Sequence, residues 1–389
     1  MVRKFLLVAC AVLGLVIARS PHGAADDRAK LLAQVGLKPT ATARGQMDTV
    51  GFASTAAQMD MVRTQAAAAA APREAALRAE HGWTDAEPRF VAAVCPHDDY
   101  YYASRLYQLA LTRVRAPVVV LFGVFHKARA FDVSDRLVFD RFATWRGAYG
   151  PVKVSPLRED LLARIRLEDR VVDNDMHQVE HSLEALVPFL QANNPNVEIV
   201  PILVPHMEWP VMERLAGELG RALVESCRAR GWTPGRDVAF VLSADAVHYG
   251  DAGWGTSPYC PFGSDLEGYR QAVAQDRRIL AEHLTGPVRA ERLKAFLYRC
   301  VEPGDVARYR ITWCGRFSIP LGLQVADRVA RELGGRELRG VALDYGTSVS
   351  EASLDDADLR GLGTTAPNNL HHFVGYAAVG YYETDRQAD

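Results

Sequence analysis

Phe90-Val91-Ala92-Ala93-Val94-Cys95, followed at once by Pro96-His97, is the stretch of sequence that decides the fold. Its six apolar residues form a short unbroken run, which is typical of a strand buried on both faces of a sheet. From Phe90 to the C-terminus, runs of this kind alternate with segments of helical spacing. This alternation predicts an α/β fold with three α/β/α layers and a mostly parallel or mixed central sheet.

Three more predicted strands end close to a histidine, as the first does at His97. They are Val118–Phe122 before His126, Val197–Val204 before His206, and Asp237–Leu242 before His248. In open α/β sheets ligands bind beyond the carboxyl ends of the strands, and neutral imidazole is the commonest metal ligand. We therefore predict a metal or acid–base site that contains His97, His126 and His248. Nothing near His206 completes a familiar ligand frame, and we predict an ordinary hydrogen-bonding loop residue there.

Two further segments carry chemically active side chains whose role the sequence leaves open. Glu180-His181-Ser182-Leu183-Glu184 is either a helix start capped by Ser182 or a source of pocket residues in Glu180 and His181. In Thr312-Trp313-Cys314-Gly315-Arg316 the cysteine precedes a predicted helix, a position that suits a thiolate ligand or a nucleophile. A free cysteine is more often a small buried hydrophobe, which is the alternative for Cys314.

Composition and the N-terminal segment narrow the class of protein. The chain has 389 residues and a formal net charge of −2, which predicts no general affinity for nucleic acid. Residues 1–25 resemble a secretory signal, since Arg3 and Lys4 precede a short apolar run, so we expect an exported protein, periplasmic or extracellular. An uncleaved N-terminal membrane anchor is the alternative. Residues 26–43 are predicted to be a flexible leader, and 44–389 a single domain without an integral membrane segment. The six cysteines include no CxxC pair and do not indicate a disulfide framework.

Six segments resemble, in the same order, motifs of the Memo family, also called AmmeMemoRadiSam system protein B. Pro96–Tyr100 (PHDDY) is similar to PHAGY, Gly123–Lys127 (GVFHK) to GPSHH, Glu180–Glu184 (EHSLE) to EHSIE, Ser243–Gly250 (SADAVHYG) to SSDFCHWG, Cys314–Ile319 (CGRFSI) to CGRHPI, and Val374–Ala378 (VGYAA) to VSYAAG. Each motif alone is short, but six in order are specific.

The resemblance implies a fold like that of class III extradiol dioxygenases, which hold Fe(II) with two histidines and a carboxylate. In Memo proteins a cysteine takes the place of the carboxylate. Carried over to this sequence, the resemblance implies His97, His126 and Cys314 as metal ligands. It implies His248 as the acid–base residue and Asp245 as the carboxylate that orients the site. The expected cofactor is a divalent metal, Fe(II) foremost, with copper or zinc as alternatives.

Four departures from the family motifs bear on the chemistry of the site. Asp98 and Asp99 stand beside His97, where either could add a carboxylate ligand or raise the basicity of the histidine. Lys127 replaces the second histidine of GPSHH, and a cation beside a metal weakens binding unless its side chain points away. Phe317 replaces the histidine of CGRHPI. These changes bear on the substrate and on the metal more than on the fold.

Three functions are compatible with these residues. The first is a metal-dependent redox enzyme of extradiol dioxygenase type, with His248 moving the proton of a phenol or similar group. The second is a non-catalytic protein that binds a metal, a peptide or an anion in the same cleft, and for which Lys127 would be favourable. The third, ranked last, is a hydrolase with Cys314 as nucleophile, since no segment indicates an oxyanion hole. The expected ligand is a small molecule or a peptide.

Overall fold

The computed structural model describes residues 27–33, 41–85, 87–252, 257–350, 354 and 361–384. The predicted signal, residues 1–25, lies outside the described residues. Within the predicted flexible leader, residues 27–33 form a helix, α1, and its Leu31 and Leu32 pack against the core. These two leucines make apolar contacts that the composition of the leader did not indicate. Among the described helices, none has the length and apolar character that a membrane span requires.

Helices and strands alternate along the chain as predicted. The helices after α1 are α2 (Ala56–His81), α3 (Tyr100–Leu111), α4 (Leu157–Arg164), α5 (Asn174–Gln178), α6 (Leu186–Asn193), α7 (Trp209–Arg230), α8 (Leu266–Ile279), α9 (Ala290–Cys300) and α10 (Ser318–Gly334). The strands are β1 (Ala43–Arg44), β2 (Ala92–Cys95), β3 (Val118–Val124), β4 (Leu137–Phe139), β5 (Thr144–Gly147), β6 (Gly150–Val154), β7 (Arg170–Val172), β8 (Glu198–Val204), β9 (Val238–Ser243), β10 (Asp245–Gly250), β11 (Gly286–Pro287), β12 (Val301–Glu302), β13 (Asp305–Tyr309), β14 (Glu337–Thr347) and β15 (His372–Thr384).

The central sheet is mixed, with a parallel centre. Its main order is β1-β5-β6-β8-β3-β9-β2-β15-β14-β11, and β10 pairs with β15. The run β6-β8-β3-β9-β2 is parallel throughout, whereas β15 is antiparallel to β2 and to β14. The predicted fold class, a three-layer α/β protein with a mostly parallel or mixed sheet, is confirmed.

The core consists of two apolar layers, one on each face of this sheet. Helices α7 and α10 contribute to one layer, and α2, α3 and α6 contribute to the other. The central strands β3 and β9 are buried at every residue, which explains why they appear in the sequence as unbroken apolar runs. Burial on both faces fixes the carboxyl ends of these strands as a rigid platform.

Two local features differ from the sequence prediction around the site. The helix predicted to begin at Ser182 begins at Leu186, because the backbone N–H of Ser182 donates to Glu180 Oε1 and its hydroxyl donates to the Val124 carbonyl. Ser182 is thus a loop anchor and the proposed helix cap is wrong. The segment after Ser243, expected to be a loop, is the strand β10, which pairs with β15.

Candidate metal centre

Three neighbouring parallel strands deliver the central residues of the site. Strand β9 lies between β2 and β3, so the ends of all three meet at one edge of the sheet. His97 follows β2, His126 follows β3, and Asp245 follows β9 at the start of β10. The prediction that these strand-end residues converge is therefore correct. His248 lies further along the same strand, β10, that begins at Asp245.

His97 is buried, and hydrogen bonds fix which of its ring nitrogens carries the proton. Its Nδ1 lies 2.8 Å from Ser243 Oγ, and the hydroxyl of Ser243 donates to the Ser182 carbonyl. Because a serine hydroxyl has a single hydrogen, the hydrogen between His97 and Ser243 must come from Nδ1. Nε2 is then the unprotonated nitrogen, and it faces Asp245 Oδ2 at 3.2 Å. Two electron-pair acceptors at this distance require a proton or a cation between them.

His126 is oriented by a buried carboxylate. Glu180 accepts the backbone N–H of His126 at 2.7 Å and faces its Nδ1 at 2.9 Å. Burial raises the pKa of Glu180, but the charge of His126 and its hydrogen bond outweigh that effect and hold the pKa well below its usual range. An ionised Glu180 fixes the proton of His126 on Nδ1, so Nε2 is left as the ligand nitrogen. Burial lowers the pKa of His126 itself, and this outweighs the charge and hydrogen bond of Glu180, which raise it.

His181 forms the third histidine of the cluster and pairs with Asp48. Its Nδ1 lies 2.5 Å from Asp48 Oδ2, and the two side chains are each about a third exposed. Burial lowers the pKa of His181, but the hydrogen bond to Asp48 and the charge of Glu180 outweigh that effect and raise the pKa to about 9. Metal binding at His181 would have to displace this proton. The rings of His97, His126 and His181 lie with their centroids 5.0 to 5.6 Å apart.

Cys314 and His248 form a second contact close to His97. Cys314 Sγ lies 2.9 Å from His248 Nε2. Burial raises the pKa of Cys314 well above its usual value and lowers the pKa of His248 to about 3, so the free pair is a neutral thiol and imidazole. Gly315 allows the segment that carries Cys314 to pack against Ala244, because a Cβ at position 315 would lie 2.2 Å from the Cβ of Ala244. A neutral thiol is a poor nucleophile, which weighs against the hydrolase alternative.

Two groups of side chains in the described structure offer ligand atoms within 4.8 Å of one another. One is His97, His126 and His181, and the other is His97, Asp245 and Cys314. Ligand atoms around one ion at roughly 2.0–2.3 Å are at most about 4.5 Å apart, so the limit of 4.8 Å brings both groups close to the spacing of a metal site. His97 belongs to both, whereas the predicted partners His126 and Cys314 fall in different groups. A mixed set of histidine, thiolate and carboxylate donors fits a divalent transition metal.

Asp245 contacts the histidines directly. Its Oδ1 accepts the backbone N–H of His97 at 3.0 Å, and its Oδ2 lies 3.9 Å from His248 Nε2. Burial and the nearby charge of Asp98 raise the pKa of Asp245 well above its usual value. Asp245 thus has the position predicted for an orienting carboxylate, and its spacing also permits direct ligation.

The departures from the family motifs do not add ligands. Asp99 accepts hydrogen bonds from the backbone N–H groups of Thr365 and Ala366, and Asp98 accepts one from the Tyr376 hydroxyl. Burial and the charge of Asp99 raise the pKa of Asp98 to about 7. The hypothesis that either acid ligates the metal or raises the basicity of His97 is not supported, because both carboxylates are engaged elsewhere.

A cleft of about 610 Å³ opens onto the two donor groups. His126, His181, His248 and Cys314 line it, and so does His206. Lys127 is exposed on its wall, and Phe317 is buried against it. His206 borders the cleft but belongs to neither donor group, and its role as an ordinary loop residue stays a prediction.

Sequence reasoning did not identify several residues that position the site. Glu180 and His181 remained open alternatives, and Asp48 and Ser243 were not considered. Asp48 lies 133 residues before His181, and no local pattern links them. Ser243 shares the end of β9 with the predicted motif, and an inward hydroxyl at a strand end is the signal that could have indicated it.

Asp276 supports the site from behind and leads to a stability prediction. It accepts hydrogen bonds from Trp313 Nε1, the Val247 N–H and the Tyr345 hydroxyl, and so fixes the residues before Cys314 and His248. We expect Asp276→Asn to lower the free energy of unfolding by about 1–3 kcal/mol, because an amide leaves a buried donor unpaired. Urea unfolding measures this loss.

The pH dependence of that loss has a definite sign. Burial raises the pKa of Asp276 to about 6, above its usual value near 3.8. A raised carboxyl pKa contributes stability that is complete below about pH 4 and is lost as the pH rises through about 6. The stability advantage of the wild type over Asp276→Asn should therefore shrink between pH 4 and pH 7. An advantage that grows over this range would contradict the assignment.

The fold and the site together define a class of protein: a three-layer α/β protein with a histidine-rich, metal-type site at the carboxyl edge of its sheet. The family model for Memo-like proteins matches residues 65–359, and the chain belongs to that family. It is 29% identical to a MEMO1 family protein of Pyrococcus furiosus over 231 residues, which cover 56% of this chain and 73% of the relative. A MEMO1 family protein of Thermococcus onnurineus is 26% identical over 310 residues, 77% of this chain and 88% of the relative. The resemblance inferred from six short motifs is thus confirmed.

Proposed function

We propose that this protein is a metal-dependent redox enzyme of extradiol dioxygenase type, with Fe(II) as the preferred metal and copper or zinc as alternatives. The observation that carries the proposal is a common arrangement of three histidines. In His97, His126 and His181, Nδ1 is hydrogen-bonded to an acceptor, which leaves Nε2 of each ring for a metal. Such outer partners, which set the tautomer and orientation of a ligating imidazole, are a general feature of metal sites.

His97 and His126 are the proposed ligands, and Cys314 is the proposed third, although His126 and Cys314 belong to different donor groups. Cys314 shares a donor group with His97, and its thiol would lose its proton on binding. A divalent iron held by three ligands would supply a redox-active centre with open positions for O₂ and an aromatic substrate. His181 is the competing third ligand, since it is grouped with both other histidines.

His248 is the proposed acid–base residue. Its side chain is 22% exposed, lines the cleft and is neutral at physiological pH, because burial and the charge of His126 lower its pKa to about 3. A neutral imidazole at the cleft wall would accept the proton of a phenolic hydroxyl whose acidity a bound divalent metal has raised. Asp245, 3.9 Å from Nε2 of His248, would stabilise the imidazolium that forms once a nearby metal cation keeps its carboxyl group ionised.

Oxygen consumption by the Fe(II)-loaded protein with catechol tests the activity. We expect His248→Gln to lower the turnover number by about 10²–10⁴-fold, the usual contribution of general acid–base catalysis, while the iron content stays unchanged. His371→Gln is the matched control, because this histidine is exposed and does not line the cleft. Oxygen uptake that does not depend on His248 would contradict the role of this residue.

A non-catalytic binding protein is the second candidate, and the basic residues of the cleft wall favour it. Lys127, Arg129 and Arg316 line the cleft beside the donor groups. A wild type that binds the metal and a ligand without any oxygen uptake would support this alternative. Binding that survives both His248→Ala and Cys314→Ser would support it further.

A further inference from the structure

The wall of the cleft beyond the metal donors is cationic. Lys127, Arg129 and Arg316 line it, whereas the described lining includes no aspartate or glutamate. His206 also lines this wall. The carboxylates that act most on its pKa are those of Asp135 and Asp132, and neither of these residues lines the cleft. Glu180 and Asp245 lie behind the histidines, where their oxygens are already bonded.

Two of these cations converge on a single aromatic ring. The guanidinium carbon of Arg316 lies 3.6 Å from the centroid of the Tyr309 ring, and that of Arg129 lies 5.4 Å from the same centroid. Both are also anchored by backbone carbonyls, Arg129 at Ala307 and Arg316 at Trp313. Two like charges are thus held against one ring of the cleft wall, and an anion in the cleft would reduce the repulsion between them.

Arg316 also keeps an unused hydrogen-bond donor. Its Nε is buried and has no hydrogen-bond partner among the described residues. A buried guanidinium N–H without an acceptor costs free energy, and the charge of an anion beside this guanidinium would offset part of that cost. The same cleft has apolar surface from Val124, Val204 and Phe317, which suits the carbon skeleton of an organic molecule.

We propose that the cleft binds an organic anion, with its carboxylate or phosphate head group held by Arg316 and Arg129 and its carbon skeleton directed toward the metal donors. Only the direction of the carbon skeleton toward the metal donors rests on the proposed function. The anion subsite itself is built from residues outside both donor groups, so it can be tested in the metal-free protein.

Calorimetric titration of the metal-free full chain with benzoate, phenyl phosphate and benzyl alcohol tests the subsite. We expect benzoate or phenyl phosphate to bind at least tenfold more tightly than benzyl alcohol, and the preferred one identifies the head group. Arg316→Met and Arg129→Met should each weaken that binding at least tenfold. Arg270→Met, at an exposed arginine on α8, is the matched control and should change it less than twofold.

The outcomes separate this proposal from the proposed function. Equal binding of benzyl alcohol, retention of anion binding in Arg129→Met and Arg316→Met, or no anion binding to the wild type would each overturn the subsite. Arg316→Lys keeps the positive charge and distinguishes a lost contact from a collapsed cleft. It should bind the anion more tightly than Arg316→Met only if the cleft remains folded. Oxygen uptake is measured separately, so its absence would leave the anion subsite standing.

Discussion

Replacing His97 by alanine is expected to reduce the bound metal to less than about a tenth of the wild-type content after loading with Fe(II). His97 is the one residue that belongs to both groups of ligand atoms, and its Nε2 faces Asp245 Oδ2 at 3.2 Å. Without the imidazole, neither group keeps three donors, and a two-donor site holds a divalent ion weakly. Elemental analysis of dialysed protein measures the metal content directly.

The variants of the third ligand decide between the two groups. If the ion is held by the group that contains Cys314, Cys314→Ser should lower the metal content strongly and His181→Ala only slightly. The reverse order would place the ion among the three histidines. Circular dichroism of each variant checks that the fold is kept, and His371→Ala serves as the control for the loss of an exposed histidine. Metal content that is unchanged in His97→Ala would contradict the site itself.

The sequence predicted the fold because the strands that build its centre are buried on both faces. Val118–Val124 and Val238–Ser243 must be apolar throughout in that environment, so their pattern is visible without any alignment. The carboxyl ends of these two strands and of the neighbouring β2 then place His97, His126 and Asp245 at one edge of the sheet by topology alone.

Other parts of the site depend on contacts between segments that are distant in the chain. His181 gains its place because a loop, held by Ser182 and Glu180, turns back to β3, and nothing in a five-residue pattern distinguishes that loop from a capped helix. Asp98 and Asp99 illustrate the opposite error. Their position beside His97 in sequence suggested ligation, but their side chains bond to Tyr376 and to the segment at Thr365.

The second large effect is expected for Glu180→Gln. Glu180 Oε1 faces His126 Nδ1 and the Ser182 N–H, while Oε2 accepts the His126 N–H. An amide has only one oxygen, so one of its two orientations places an NH₂ group against His126 Nδ1. His126 can satisfy that group only by moving its own proton to Nε2, and this removes the lone pair that binds the metal. We therefore expect the metal affinity to fall by about 10–100-fold, the usual cost of losing such an outer partner.

Glu184→Gln is the matched control for this prediction. Glu184 is also buried and lies in the same loop segment as Glu180. It pairs instead with Arg44 and accepts hydrogen bonds from the backbone N–H groups of Met47 and Asp48. We expect Glu184→Gln to lower the free energy of unfolding by about 1–3 kcal/mol, as Glu180→Gln does, because each leaves a buried donor unpaired. The metal affinity of Glu184→Gln should stay within about threefold of the wild type. Competition with a chromogenic chelator measures affinity, and urea unfolding measures stability. Because the two substitutions are chemically identical, a similar loss of metal affinity in both would mean that Glu180 acts through folding alone and not by fixing the tautomer of His126.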